Sequence, residues 1–408
     1  MQWGVIGTGW VAQTFVQALQ ESATEQVIAI ASRELSRATA LASQFSGTRA
    51  YGSYAELLAD PDVEAVYIAI PDNLHAEWAI ASMRAGKHVL CETPLTVQGS
   101  EAEAMFAVAR EQGVTLMEAS MYRFHPQTRK LQELLANGAI GTLRLIQVAF
   151  TISAIDQADR RFNSALSQGA LLDIGSYAIN FVRMIVGQAP DRVAAAAYWA
   201  PSGVDETLVA SLEYANGLVA QISCSLNASH IHSVRLIGSS GTIELDEAFL
   251  LPLDRPTRIR IRHGAQGSKV EELSIPPANS YRLEAEAFGR FVTTKYYAHD
   301  LPEMPEVETL DNIATIEALL QAARGLPAGA QTMEARQCSV CSGAVRPVVL
   351  IEDHGPTIGE QPSAVAPGQA QRSLGIVYNE HYPTEATACT KCGHIDLWVD
   401  PEWVASLK

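Results

Sequence analysis

Lysine is scarce in this chain: six occur in 408 residues, and Lys plus Arg number 29 against 45 acidic residues, a formal net charge of −16. No basic stripe stands out. Phosphate backbones and anionic membranes are held by clustered Lys and Arg, so neither nucleic acid nor a membrane is expected as a partner. Long apolar runs are also missing, none reaching the roughly 18 residues that suggest a membrane span. The first strand-like run starts at residue 2 and leaves no room for a signal peptide, so a soluble, cytoplasmic protein is expected. Of only six cysteines, Cys91 and Cys224 stand alone in apolar stretches and read as buried thiols, while four fall in pairs near the C-terminus.

Hydrophobic residues make up 48 % of the chain, enough for sizeable cores in about two or three domains. The most informative stretch is Gly4-Val5-Ile6-Gly7-Thr8-Gly9-Trp10-Val11-Ala12. An apolar run ending in G-x-G-x-x-A is expected where a buried parallel strand turns into a helix whose N-terminus faces a pyrophosphate. Gly7 and Gly9 leave the backbone free to turn and to approach phosphate oxygens, and Ala12 lets the helix lie close on the strand. The alternative is a tight turn with no ligand. The context favours the dinucleotide: a second apolar strand, Gln26 to Ala31, follows a helix-length segment and ends at Ser32-Arg33, where the ribose-reading residue belongs.

Up to about residue 120, β-rich runs (Trp3 to Ile6, Val27 to Ala31, Ala65 to Ile70, His88 to Cys91, Thr115 to Glu118) alternate with helix-length stretches. This predicts an α/β domain, a doubly wound parallel sheet of the Rossmann kind over residues 1–120. From 121 to 325 strands follow one another (Leu143 to Thr151, Val193 to Tyr198, Thr207 to Tyr214, Leu218 to Cys224, Ser233 to Ile237), with a helix-like segment from Gly169 to Val186. An α+β domain with an open, mostly antiparallel sheet is expected there. A last helix, about Val307 to Arg324, meets Gly325 and Pro327 as stop signals, and residues 326–408 form a linker and a small separate unit.

The end of the second strand carries no carboxylate. Asp or Glu there would bind the ribose diol of NAD, whereas Ser32, Arg33 and Arg37 suit a 2′-phosphate, so NADP is expected, with NAD possible. Arg37 also reads as a solvated residue at a helix start. Asp173, Tyr177 and Asn180 fall at i, i+4 and i+7 and would share one face of a helix, able to aim polar groups into a cleft. A phenol has a reference pKa of about 10, so Tyr177 needs a nearby positive charge or strong hydrogen bonds to exchange a proton near neutral pH. Its bland alternative is an amphipathic residue at a helix–sheet boundary.

Several motifs together resemble the Gfo/Idh/MocA family, named for glucose-fructose oxidoreductase and inositol dehydrogenase, over about residues 1–325. Besides Gly7 to Ala12, Tyr67-Ile68-Ala69-Ile70-Pro71-Asp72-Asn73-Leu74-His75 is similar to the family's loop near the nicotinamide ribose, and Glu92-Thr93-Pro94 stands where the family has E-K-P. Met121-Tyr122-Arg123-Phe124-His125-Pro126 and Gly169 to Tyr177 look like the dihydrodiol dehydrogenase and xylose dehydrogenase branch. The resemblance implies hydride transfer to or from C4 of the nicotinamide, with Tyr177 as general acid/base and Asp173 orienting or binding the substrate. It also implies cofactor contacts from Gly7, Thr8, Gly9, Trp10, Val11, Pro71, Asn73, His75 and Glu92, substrate contacts from Arg123, His125 and Asn180, and a homodimer or homotetramer. Thr93 departs from the family, since the lysine usual there is treated as catalytic or substrate-binding. Lys87 lies on the wrong side of its strand to replace it, and Arg123 or His125 could supply the charge. A cofactor-binding protein with little turnover, or a different reaction on the same scaffold, stand as alternatives.

Cys338-Ser339-Val340-Cys341 and Cys389-Thr390-Lys391-Cys392 are two C-x-x-C pairs with a glycine close behind each and an apolar run beside each. Four thiolates suit a tetrahedral Zn²⁺ site, and a closed Cys₄ shell leaves no place for substrate, so the role is structural. The tail resembles a zinc ribbon with an unusually long insert of 47 residues, and it could dock a protein partner. A rubredoxin-like iron centre and disulfides are the alternatives. A sugar, polyol or cyclic diol is the expected substrate class, by resemblance.

Overall fold

The computed structural model describes residues 1–153, 159–164, 169–264, 269–294 and 304–325, together with three short strands beyond them. Two units separate, Met1–Gly329 and Ala330–Lys408. In the first unit the chain opens as β1 (Gln2–Ile6), α1 (Trp10–Leu19), β2 (Gln26–Ala31), α2 (Leu35–Ala42), β3 (Arg49–Tyr51) and α3 (Tyr54–Leu58). It continues through β4 (Ala65–Ile68), α4 (His75–Arg84), β5 (His88–Cys91), α5 (Gly99–Gln112), β6 (Leu116–Glu118) and α6 (Pro126–Ala136). The six strands lie in the order β3-β2-β1-β4-β5-β6, every pair parallel. Because helices cover both faces, β1 and β4 are apolar and buried nearly throughout. The strand order reverses between β1 and β4. Outside the carboxyl ends of those strands lies the crevice where open α/β sheets bind ligands.

A second sheet follows: β7 (Leu143–Thr151), α7 (Ser176–Val186), β8 (Arg192–Trp199), β9 (Asp205–Glu213), β10 (Val219–Ser225), β11 (Ile231–Gly238), β12 (Gly241–Leu245), β13 (Thr257–His263) and β14 (Lys269–Ile275). Its order is β14-β13-β12-β11-β7-β10-β9-β8, antiparallel except for the β7–β10 pair. The five anticipated strands are present, and three more, β12 to β14, extend the sheet. One face packs on α7 through Phe150, Leu208, Ile222, Ile179 and Phe181, and the other is left polar or open.

The last two helices, α8 (Ser280–Thr294) and α9 (Glu306–Ala323), do not stay with the second sheet. Tyr281, Ala285 and Phe288 of α8 join the core of the first sheet beside Trp3 and Phe15. On α9, Ile313 packs with the first domain's other layer, whereas Ile316 and Leu319 pack with the second sheet. The two segments are therefore stitched together rather than hinged on a single crossing. No helix among the described residues is long and apolar enough to cross a membrane.

In the second unit β15 (Val345–Pro347), β16 (Thr384–Cys389) and β17 (Ile395–Val399) form an antiparallel sheet in the order β15-β16-β17. Cys389 is the last residue of β16; Cys338, Cys341 and Cys392 lie outside the described residues. Among the described residues no group of His, Cys, Asp or Glu is placed to hold a metal ion, and Cys91 and Cys224 are free buried thiols.

Candidate active site

The turn after β1 is built as its glycines require. Gly7 has φ of 118°, and a Cβ there would lie 2.2 Å from the Ala69 carbonyl oxygen, so only glycine fits between the two loops that edge the crevice. Gly9 is the residue before α1, with open space around it, no side chain capping the helix and no carboxylate in its first turn. The first N–H groups of α1 are thus free for an anion, and Ala12 is fully buried against the sheet. The Thr8 carbonyl accepts from Gln13 Nε2, Val11 is half-buried, and Trp10 stands 65 % exposed at the lip. At the end of β2, Ser32 accepts from the Glu34 amide at 3.3 Å, and the exposed Arg33 lies against the Tyr54 hydroxyl. Arg37 is instead paired with Glu34 at 3.0 Å, both well exposed, which is the solvated role its position allowed.

The loop after β4 supplies the next wall. Pro71 is half-buried and Asn73 exposed, but His75 is buried, with its ring nitrogens on the carbonyl oxygens of Pro94 (3.0 Å) and Ile70 (2.9 Å). His75 therefore pins the Pro71 loop to the Glu92-Thr93-Pro94 loop, a positioning role rather than the direct cofactor contact expected of it. Glu92 sits just past β5, half-buried, and its carboxylate accepts a short bond from the Tyr67 hydroxyl. Phe15 stacks on Tyr67 with ring centroids 3.7 Å apart and fixes that phenol.

From the second domain, a wide π-type turn, Leu171–Gly175, leads into α7. Asp205, fully buried, holds its start by accepting from the Leu171 amide at 2.7 Å. Gly169, with φ of 94°, presses on Asp205 so closely that a Cβ would fall 2.2 Å from Oδ1. The turn presents Asp173, which accepts from Arg161 Nε at 2.6 Å and has Arg160 at 3.8 Å. Tyr177, one turn on, packs against both the first and second cores, its ring 5.6 Å from Phe150 and 5.7 Å from Phe249. Burial, and then the charge of Glu92, raise its pKa well above the usual value of a phenol. Tyr281 and Glu284 of α8 act on it too. Asp72 is likewise raised, by burial first, with Asp173 and Arg160 in its surroundings. The charges of Glu92 and Asp173 thus both act on Tyr177, and that of Asp173 on Asp72, past the carboxyl ends of β4 and β5.

Four expected site residues are elsewhere engaged. Arg123 is 4 % exposed, ion-paired with Glu308 at 2.8 Å, so it brings no charge to the cleft. His125, fully buried, accepts the Gln127 amide at 3.0 Å as the cap of α6, and burial lowers its pKa to about 4, leaving it neutral. Asn180 accepts from the Tyr122 hydroxyl and donates to Met304 Sδ at 3.1 Å, inside the core. The π-type turn breaks the 3.6-residue phase on which its shared face with Asp173 was based. Thr93 donates to Glu118 Oε1 at 2.8 Å, a carboxylate 2 % exposed. In their place the structure adds Arg160 and Arg161 ahead of α7 and Tyr281 and Glu284 on α8, which no motif marked, and Tyr67 on β4, which opened a motif but was given no role.

Comparison with known proteins agrees with this architecture. Residues 1–120 match the model of an oxidoreductase family with an NAD-binding Rossmann fold, and residues 128–244 match the GFO/IDH/MocA C-terminal domain. The chain is 36 % identical over 325 residues to a D-xylose 1-dehydrogenase (NADP(+)) of Haloferax volcanii, covering 79 % of this chain and 97 % of that one. It is 34 % identical to the trans-1,2-dihydrobenzene-1,2-diol dehydrogenase of Bos taurus, over 68 % of this chain and 81 % of the relative. A 3-ketoreductase of Actinomadura kijaniata, solved with NADP and TDP-benzene, superposes with a TM-score of 0.73 at 31 % identity, covering 79 % of this chain and 97 % of that structure.

Proposed function

Since this chain belongs to the GFO/IDH/MocA oxidoreductase family, we propose that it moves hydride between a nicotinamide dinucleotide, NADP(H) before NAD(H), and a carbinol or carbonyl carbon of a sugar, polyol or cyclic diol. The observation that carries this reading is that Tyr177, from the second domain, packs against the core of the nucleotide-binding sheet as well as against its own. The residues present fit the dinucleotide. Uncapped amides of α1 would take the pyrophosphate, and Arg33 beside Ser32 would take a 2′-phosphate. The bound nicotinamide supplies or accepts the hydride at C4. Tyr177 donates a hydrogen bond to the substrate oxygen, and Asp173, held by Arg161, orients a neighbouring hydroxyl. An absorbance assay of the reduced cofactor over a panel of sugars, polyols and diols tests this; turnover with NADP⁺ on at least one class supports it.

A structural zinc is our reading of the C-terminal unit. Cys389 ends β16 and pairs with Val345, the first residue of β15. In the sequence Cys392 follows three positions after Cys389 and Cys341 precedes Val345 by four, about 14 Å of extended chain at most, so chain length allows both pairs to serve one site. Such a ribbon would be a place for a protein partner. One zinc per chain by elemental analysis supports the assignment, and iron in a red protein contradicts it. The open face of the second sheet, where Val209, Val219 and Tyr198 are exposed, would join copies into a dimer or tetramer, which light scattering measures.

A further inference from the structure

Asp205 takes no part in the hydride or proton transfer proposed above, yet it is buried completely at the start of β9. Its Oδ2 accepts from the Leu171 amide at 2.7 Å, and among the described residues Oδ1 has no hydrogen-bond partner. The placement is unfavourable for a carboxyl group. Burial raises its pKa to about 7 although the Leu171 amide and the charge of Arg324 both favour the ionised form. An apolar residue would avoid that penalty but would leave the amide without an acceptor, so the acceptor is what the position requires.

The requirement comes from the wide turn ahead of α7. Ala170 and Leu171 are fully buried, so water does not reach the Leu171 amide, and as one of the first donors of the Leu171–Gly175 turn it has no carbonyl of the turn to bond. Asp205 meets it from across the sheet. Two residues earlier, Gly169 pairs with Asp205 in a single parallel β-bridge, and the Gly169 carbonyl accepts from the Asp173 amide at 3.1 Å. Asp205 therefore touches both residues that flank Ala170, and the backbone of Asp173 is bonded to one of them.

We propose that Asp205 is a positioning residue of this site, the group that holds the turn in its wide phase and so keeps Asp173 aimed at Arg161 and at the substrate hydroxyl. The substrate's part in this rests on the oxidoreductase reading above. Without the Oδ2 acceptor the turn relaxes toward the 3.6-residue phase of α7, which swings Asp173 by up to about 100° round the helix axis and away from Arg161. Tyr177 stays in place, because its ring is packed against Tyr122, Phe150 and Phe249. Loss of Asp205 thus removes the contribution of Asp173 and spares that of Tyr177.

A double-mutant cycle of Asp205→Ala with Asp173→Asn, read as turnover of the full-length protein with NADP⁺ on an active panel substrate, tests this. Asp205→Ala should lower kcat/KM for the substrate by about tenfold to a hundredfold with NADPH affinity unchanged. Asp205→Asn keeps the acceptor and should restore most of the loss. In the Asp173→Asn background Asp205→Ala should lower kcat/KM no further. A merely structural carboxylate would lower the urea midpoint and leave kcat/KM of the folded protein alone, and one acting independently of Asp173 would multiply its loss onto that of Asp173→Asn; either result overturns the proposal. Asp205→Ser, whose oxygen is drawn back from the Leu171 amide, repeats the cycle should the alanine variant not fold. Hydrogen exchange of the cofactor-free protein reads the same turn without turnover. Faster exchange at Leu171 and Asp173 in Asp205→Ala, reversed in Asp205→Asn, is expected, and unchanged exchange there overturns the proposal. If that exchange pattern is found while no panel substrate turns over, the oxidoreductase reading fails and the clamp on the turn stands.

Discussion

The Thr93 hydroxyl donates to Glu118 Oε1 at 2.8 Å, joining the loop after β5 to the end of β6 through a carboxylate that is 2 % exposed. The Leu95 amide donates to the same oxygen at 3.1 Å. Thr93→Val keeps the shape and removes one of these donors from a buried acceptor whose burial already raises its pKa. A loss of about 1 kcal/mol in unfolding free energy is expected, read from urea denaturation. An unchanged urea midpoint would show that the bond contributes nothing.

Arg33 is exposed beside Ser32 at the end of β2, while Arg37 is occupied by Glu34. NADPH should therefore bind more tightly than NADH, and Arg33→Ala should remove most of the difference, on the order of 1.5 to 3 kcal/mol or tenfold to a hundredfold. Arg37→Ala should change it little. Fluorescence titration of each protein with both cofactors decides, and equal affinities in the unmutated protein would contradict the assignment.

His125 should make the fold sensitive to mild acid. Its folded pKa of about 4 lies below the unfolded value near 6.5, so the unfolded chain takes up a proton first as pH falls, and stability drops between those two values. At pH 5 the loss relative to pH 7 is on the order of 2 kcal/mol for this residue. Asn caps a helix as well and does not titrate, so His125→Asn should lessen the loss of urea resistance between pH 7 and pH 5. His232, also about 4, contributes a separate loss of the same sign.

The first sheet was largely legible because each of its longer strands is a continuous apolar run and its first turn carries glycines that only one backbone path uses. β3 was not, since Arg49–Tyr51 is three residues with no period to read. β13 could have been found: Thr257-Arg-Ile-Arg-Ile-Arg-His263 alternates strictly, although its many arginines disguise it as a solvated stretch. What single-chain patterns do not encode is partnership across the fold. Arg123 and Asn180 looked available because their partners Glu308 and Tyr122 are set by tertiary packing, whereas His125 is a local helix cap that Pro126 behind it could have announced, and Arg161 reaches Asp173 from a loop without periodicity. The helix face shared by Asp173 and Asn180 failed at one wide turn, which no residue in Leu171–Gly175 announces.

The central claim, that this chain is a working oxidoreductase whose proton passes through Tyr177, is tested most directly by turnover of the unmutated protein and of Tyr177→Phe with NADP⁺ on the substrate panel. Tyr177 is half-buried where the two cores meet, and its ring contacts are to Tyr122, Phe150 and Phe249, so cofactor affinity should be nearly unchanged in the variant. Turnover by the unmutated protein and a fall of about a hundredfold or more in Tyr177→Phe is the predicted result. If neither the unmutated protein nor Thr93→Lys turns over any sugar, polyol or diol while NADPH still binds, or if Tyr177→Phe is as active as the original, the account is contradicted.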